Sequence, residues 1–162
     1  MPSLVEMAEP VGSLLRERGQ TVAVSESAAG GLISAALLSV PGASAYFLGG
    51  ASVYTRTARR GLLRFGDEQA EMRGSTEDYA LLCAVTVRDI LGADWAIGES
   101  GAAGPSGNRY GDPAGHVALA VAGPATATRI VRTGSDDREA NMWAFAEAAL
   151  ALLRETIEGE ER

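Results

Sequence analysis

The 162-residue chain reads as one α/β domain, a mixed and mostly parallel sheet held between two helical layers in a three-layer α/β/α sandwich. Three observations carry that reading. Segments with apolar residues at three-and-four spacing alternate with short apolar strands, the order of a sheet covered by helices on both faces. Two strand-like runs, His116 to Val121 and Thr128 to Arg132, are joined by a Gly-Pro turn and read as a hairpin, so the sheet is mixed rather than wholly parallel. The length suits a single core that needs no covalent staples.

Taken in order, Ser3 to Arg18 predicts a helix with Leu4, Met7, Val11 and Leu14 or Leu15 on one face, a kink at Pro10 and a stop at Gly19. Thr21 to Val24 is a short strand. It meets the polar residues Ser25-Glu26-Ser27 and the pair Gly30-Gly31, which open an apolar helix, Leu32 to Val40, stopped by Pro41-Gly42. Ala45 to Thr55 is a strand region in which Gly49-Gly50 permits a bulge, and Thr57 to Phe65 suits a short helix. After a loop, Ser75-Thr76-Glu77-Asp78 has a capping pattern. The helix behind it carries Tyr79, Leu82, Cys83, Thr86 and Ile90 on one face and ends at Gly92. Trp95 to Ser100 is a strand that runs into the glycine-rich loop Gly101 to Gly115. Asp136 or Asp137 caps a last helix lined by Trp143, Ala146, Leu150, Leu153 and Ile157, and the GEER tail is expected to fray.

Composition excludes several classes. A net charge of −7 argues against a nucleic-acid surface, which needs a basic patch. The single cysteine, Cys83, allows no internal disulfide and no multi-cysteine zinc site, and with one histidine, His116, no metal site is expected. Cys83 itself suits a small core residue, and Trp95 and Trp143 suit the core as well. The most apolar stretch, Leu32 to Val40, is far short of the ~20 residues of a membrane span, and Met1 to Gln20 lacks a secretory pattern. A cytoplasmic protein that binds no membrane is expected. All 14 basic residues are arginine, and lysine is absent.

Chemistry concentrates where strands end. Ligands of open α/β sheets bind beyond the carboxyl ends of strands. Two such ends carry small polar residues followed by glycines: Ser25-Glu26-Ser27 and Glu99-Ser100-Gly101. Ser27 is either a nucleophile, which needs a base within reach, or a cap for the Gly-Gly helix. Glu99 is either that base, its pKa raised by burial, or the partner of an arginine such as Arg59. Glu26 is adjacent to Ser27 and points to the opposite face. His116 suits a hydrogen-bonded or surface role better than that of a base.

The pattern ESxxGGLxxxxLxxVPGxSxYFxGGxxxYxxxA, followed by GxAGPxG and GxxDR, resembles the CinA C-terminal domain family, whose characterised members are nicotinamide-nucleotide amidases. The resemblance runs from about Thr21 to Leu153, so the chain is expected to be one such domain over residues 1–162 with a core of about 21–153. It implies an α/β/α sandwich that binds nicotinamide mononucleotide without a cofactor and hydrolyses its carboxamide to the acid and ammonia. It also implies a serine nucleophile at Ser27, a partner lysine after the Tyr54 strand, and a pocket lined by the GxAGP loop. From it come the expected substrate-binding residues Gly30, Gly31, Tyr54, Ser100, Gly101, Gly104 and Arg138, and a homodimer.

The departures from the pattern matter as much. The family turn ESCTGG is Glu26-Ser27-Ala28-Ala29-Gly30-Gly31 here, and Arg59 stands at the lysine position. A guanidinium does not give up its proton, so Arg59 could hold a phosphate or polarise a carbonyl but could not serve as a base. Two readings stay open. One is an amidohydrolase with Ser27 as nucleophile, Arg59 assisting electrostatically and Glu99 or a water relaying the proton, on nicotinamide mononucleotide or another amide. The other is a nucleotide-binding or interaction protein that keeps the pocket and has lost the chemistry.

Overall fold

A computed structural model describes residues 1–160. The element order is α1 (Leu4–Arg18), β1 (Val22–Glu26), α2 (Leu32–Ser39), a single 3-10 turn (Ala43–Ala45), β2 (Phe47–Ser52), α3 (Arg56–Leu63), α4 (Asp67–Glu71), α5 (Glu77–Leu91), β3 (Trp95–Ala102), β4 (His116–Ala122), β5 (Ala127–Arg132) and α6 (Arg138–Glu160). The sheet order is β2-β1-β3-β4-β5. β1 is parallel to both β2 and β3, and the β4–β5 hairpin continues the sheet antiparallel, so β4 alone opposes the other strands. The parallel pairing of β1 with β3 puts the Ser25-Glu26-Ser27 and Glu99-Ser100 ends side by side.

The two faces differ in side-chain size. Val22, Val24, Trp95, Ile97 and Leu119 pack under α1, α2 and α6 with Leu15, Ile33, Phe145 and Leu150. The other face is mostly alanine (Ala23, Ala96, Ala118, Ala120) and takes α5 through Tyr79, Ala80, Cys83 and Ala84. Small residues let α5 approach closely. At Gly98 a Cβ would lie 2.0 Å from the Ala80 carbonyl oxygen, so only glycine fits under the helix.

Helix ends follow the capping chemistry. Ser3 and Glu6 form a capping box at α1, Thr76 accepts from the Tyr79 N–H at α5, and Gly19 and Gly92 close their helices in the left-handed region. Asp137 rather than Asp136 caps α6, its Oδ1 accepting from the Ala140 N–H at 3.1 Å.

Several expectations are corrected. β1 extends to Glu26 and β3 to Ala102, so Ser25 and Glu26 belong to a strand rather than a turn. Their backbone groups are paired across the sheet, with Ser25 opposite Gly98 and Ala51. The short α4 occupies what reads as loop because its five residues show no apolar period. Gly159 and Glu160 of the expected frayed tail continue α6, where Glu160 meets Arg18 at 3.4 Å; Glu161 and Arg162 lie outside the described residues. Among the described residues no helix is long and apolar enough to cross a membrane.

Candidate active site at the ends of β1 and β3

Two buried carboxylates share the N–H groups of the turn that carries Ser27. Gly31 caps α2 and has no side chain to do so, with φ at +104°. Glu26, fully buried at the end of β1, supplies the missing acceptor. Its Oε1 accepts from the Gly31 and Ile33 N–H groups at 2.8 and 3.1 Å, and its Oε2 from the Ser34 N–H and hydroxyl at 3.0 and 2.8 Å. Glu99 reaches from β3 into the first half of the turn, where Oε1 accepts from the Ser27 and Ala29 N–H groups at 2.7 and 2.9 Å. The donors of this helix start are therefore met from within the chain.

Ser27 is thus not the cap of α2. It is half-buried, and its hydroxyl makes no hydrogen bond among the described residues. Glu99 Oε2 is buried and likewise without a partner. Burial pushes the Glu99 carboxyl up to about 7; the N–H groups of Ala29, Ser27 and Ala28 work against this, and the nearby Glu26 charge adds to it. Glu99 thus touches the Ser27 main chain, not its hydroxyl.

Arg59 is committed elsewhere. One of its guanidinium nitrogens donates to the carbonyls of Ala70 and Met72 at 2.9 and 2.8 Å, and the group stacks on Tyr79 with 4.2 Å to the ring centroid. The expected Glu99–Arg59 pair is absent among the described residues. Ser100 points to the α5 side, where its hydroxyl accepts from the Ser75 N–H at 2.9 Å. On that side burial pushes the Cys83 thiol up to about 11, next to the Tyr79 and Ser25 hydroxyls, and holds Tyr79 well above the usual phenol range.

Beside the turn lies a cavity of about 240 Å³ lined by Ala28, Tyr54, Gly101, Gly104, Asn108 and Arg138 among others. Of the expected ligand-binding residues, Tyr54, Gly101, Gly104 and Arg138 line it; Gly30, Gly31 and Ser100 do not. Arg138 makes no capping-region salt bridge among the described residues; it donates to the Gly104 carbonyl and, at 3.2 Å, to the Tyr54 hydroxyl across the cavity. Asn141, buried one turn into α6, holds the wall. Its amide donates to the Ala103 and Ser135 carbonyls at 2.7 and 2.9 Å, and its oxygen accepts from the Thr133 hydroxyl at 2.6 Å. His116 has both ring nitrogens in use: Nδ1 accepts from Arg132 at 3.1 Å and Nε2 donates to the Ser75 carbonyl at 2.9 Å. Neither is left to act as a base. No group of three or more potential metal ligands occurs among the described residues.

The family model of the CinA C-terminal domain matches residues 4–157. This chain belongs to the CinA family. A CinA-like protein of Prochlorococcus marinus is 44% identical over 119 residues, 73% of this chain and 28% of that protein. One from Anaeromyxobacter is 38% identical over 150 residues, 92% of this chain and 37% of that protein. The chain thus spans about a third of the length of these curated relatives. Among solved structures, the CinA superfamily protein of Klebsiella pneumoniae 700603 has a TM-score of 0.89 at 28% identity, covering 98% of this chain and 99% of its own. The competence/damage inducible protein CihA of Agrobacterium tumefaciens has a TM-score of 0.87 at 28% identity, covering 100% and 98%.

Arg59 is held by the Ala70 and Met72 carbonyls and the Tyr79 ring, and no hydrogen bond joins it to Ser27 or Glu99 among the described residues. Sequence reasoning passed over Asn141 and treated Glu26 only as a neighbour of Ser27. Glu26 was findable: a helix opening on Gly-Gly has no side-chain cap of its own, which makes a nearby acid a candidate for that place.

Proposed function

We propose that this CinA-family chain binds a small nucleotide in the cavity beside the Ser27 turn and hydrolyses a carboxamide on it. Nicotinamide mononucleotide is the substrate the resemblance implies. The observation that carries the reading is an unengaged, half-buried serine hydroxyl on a turn whose Ser27 and Ala29 N–H groups are bound by the buried Glu99 carboxyl of β3, its pKa pushed up to about 7 by burial. Once the Ser27 side chain turns toward it, Glu99 takes the hydroxyl proton as Oγ attacks the carboxamide carbon. The proton passes to the departing nitrogen and ammonia leaves. Water then attacks the resulting ester, releasing the acid and restoring Ser27. Arg138, at the cavity wall, suits an anionic group of the ligand. Arg59 takes no proton in this scheme.

The test is an assay for ammonia and nicotinic acid mononucleotide with the wild type, Ser27→Ala and Glu99→Gln. Release by the wild type alone supports the reading. Equal signal from wild type and Ser27→Ala, or none from the wild type, overturns it. A second reading, nucleotide binding without turnover, is favoured by the engagement of Arg59 with the Ala70 and Met72 carbonyls. It predicts that calorimetry detects nicotinamide mononucleotide binding with no ammonia released, weakened by Arg138→Ala. Arg59 does not line the cavity, so Arg59→Ala is expected to alter stability rather than affinity. The homodimer belongs to the same proposal, and a solution mass of one 16.7 kDa chain would refute it.

A further inference from the structure

The two carboxylates of the Ser27 turn have different environments. Four donors converge on the Glu26 oxygens and tie the end of β1 to the first turn of α2. Glu99 has two backbone donors on one oxygen and, among the described residues, none on the other. Both side chains are buried, and they come from neighbouring parallel strands whose ends lie together. A carboxylate clamped by four donors is fixed in place, whereas a neighbour with a bare oxygen keeps an acceptor site open for a proton.

We propose that Glu26 is a positioning residue for the hydrolysis at Ser27: from its place beside Glu99 it locks the Ser27 turn onto the first turn of α2. The proposal rests on the amidohydrolase reading for its link to turnover, but not for its electrostatics. The ionisable groups that bear on Glu99 are Glu26 on β1 and, across the sheet, the Cys83 thiol on α5, which lies near Arg59. Glu26 has the larger influence, acting in the direction that favours protonated Glu99. The sign follows. Removing the Glu26 charge makes Glu99 release its proton at lower pH, so a rate that needs ionised Glu99 keeps its acidic limb to lower pH.

The test uses carboxyl-¹³C glutamate labelling of the whole chain, with Glu99 assigned by its loss in Glu99→Gln. In Glu26→Gln the Glu99 midpoint is expected to fall below the wild-type value by at least half a pH unit. The acidic limb of kcat is expected to move with it, with kcat reduced about tenfold or more at neutral pH and KM nearly unchanged. An unmoved Glu99 midpoint overturns the proposal. Ser34→Ala, which removes one donor and keeps the charge, is expected to leave the Glu99 midpoint in place and lower kcat a few-fold; a wild-type kcat in this variant overturns the positioning role. If Glu26→Gln does not fold, Ser34→Ala decides by that kcat. If the wild type hydrolyses nothing, the amidohydrolase reading fails, while the ¹³C titrations still decide the electrostatic part.

Discussion

Replacing Glu99 by glutamine is expected to change how stability depends on pH in a way no surface carboxylate would. In the unfolded chain this glutamate titrates near 4.5, and in the folded chain burial raises it to about 7. Between those values the native state holds a proton that the unfolded state has released. The contribution of Glu99 to stability is therefore greatest below about 4.5, falls as pH rises through this window, and levels off above about 7. The difference corresponds to about 3 kcal/mol, which for a domain of this size is roughly 6–12 °C in Tm. Glutamine keeps an acceptor for the Ser27 and Ala29 N–H groups and cannot ionise, so it mimics the protonated side chain. Urea unfolding of both proteins from pH 4.5 to 8 should give similar stabilities at the acid end and a Glu99→Gln advantage of a few kcal/mol at pH 8. Other titrations are shared by the two proteins and cancel. These include Asp112, where the Asn108 and Arg73 donors outweigh burial and lower its pKa, and Glu155, lowered chiefly by Arg129. A wild type that runs parallel to the variant over the whole range would show that Glu99 is not held near 7, and would remove the base from the proposed mechanism.

Three further outcomes are expected. Gly98→Ala places a methyl 2.0 Å from the Ala80 carbonyl oxygen and should cost at least about 3 kcal/mol in denaturant unfolding, because both atoms sit on packed backbone. Asn141→Ala removes a buried side chain that serves the Ala103 and Ser135 carbonyls, and should cost about 2–4 kcal/mol, with increased hydrogen exchange in the 103–107 loop. Arg138→Ala should weaken nucleotide binding about tenfold in calorimetry while stability changes by less than about 1 kcal/mol, since its two hydrogen bonds lie at a partly exposed cavity wall.

The sequence was most legible where a local rule acts alone. Ser3 with Glu6, Thr76, Gly19 and Gly92 mark helix ends through caps made by residues within a turn of one another, and the helices begin and end there. The hairpin was readable for the same reason. The candidate site was legible in outline: Ser27, Glu99, Tyr54, Gly101, Gly104 and Arg138 lie on or beside the cavity and its turn. It was not legible in its connections. Glu99 meets the Ser27 turn across 72 positions of sequence, and Arg59 finds its carbonyl partners on α4, a helix too short to show a period.

What the sequence determined by itself was the family, the alternation of helix and strand, and the absence of any lysine that could serve Ser27. Those properties reside in residue type and spacing. Tertiary structure alone decided which groups satisfy the turn: Glu26, not Ser27, caps α2, and Glu99 binds backbone N–H groups rather than an arginine. The physical reason is that a buried carboxylate takes whichever donors the packed strands bring within 3 Å, and pairing of β1 with β3 brings the N–H groups of the Ser27 turn to Glu99 while Arg59 is drawn to α4.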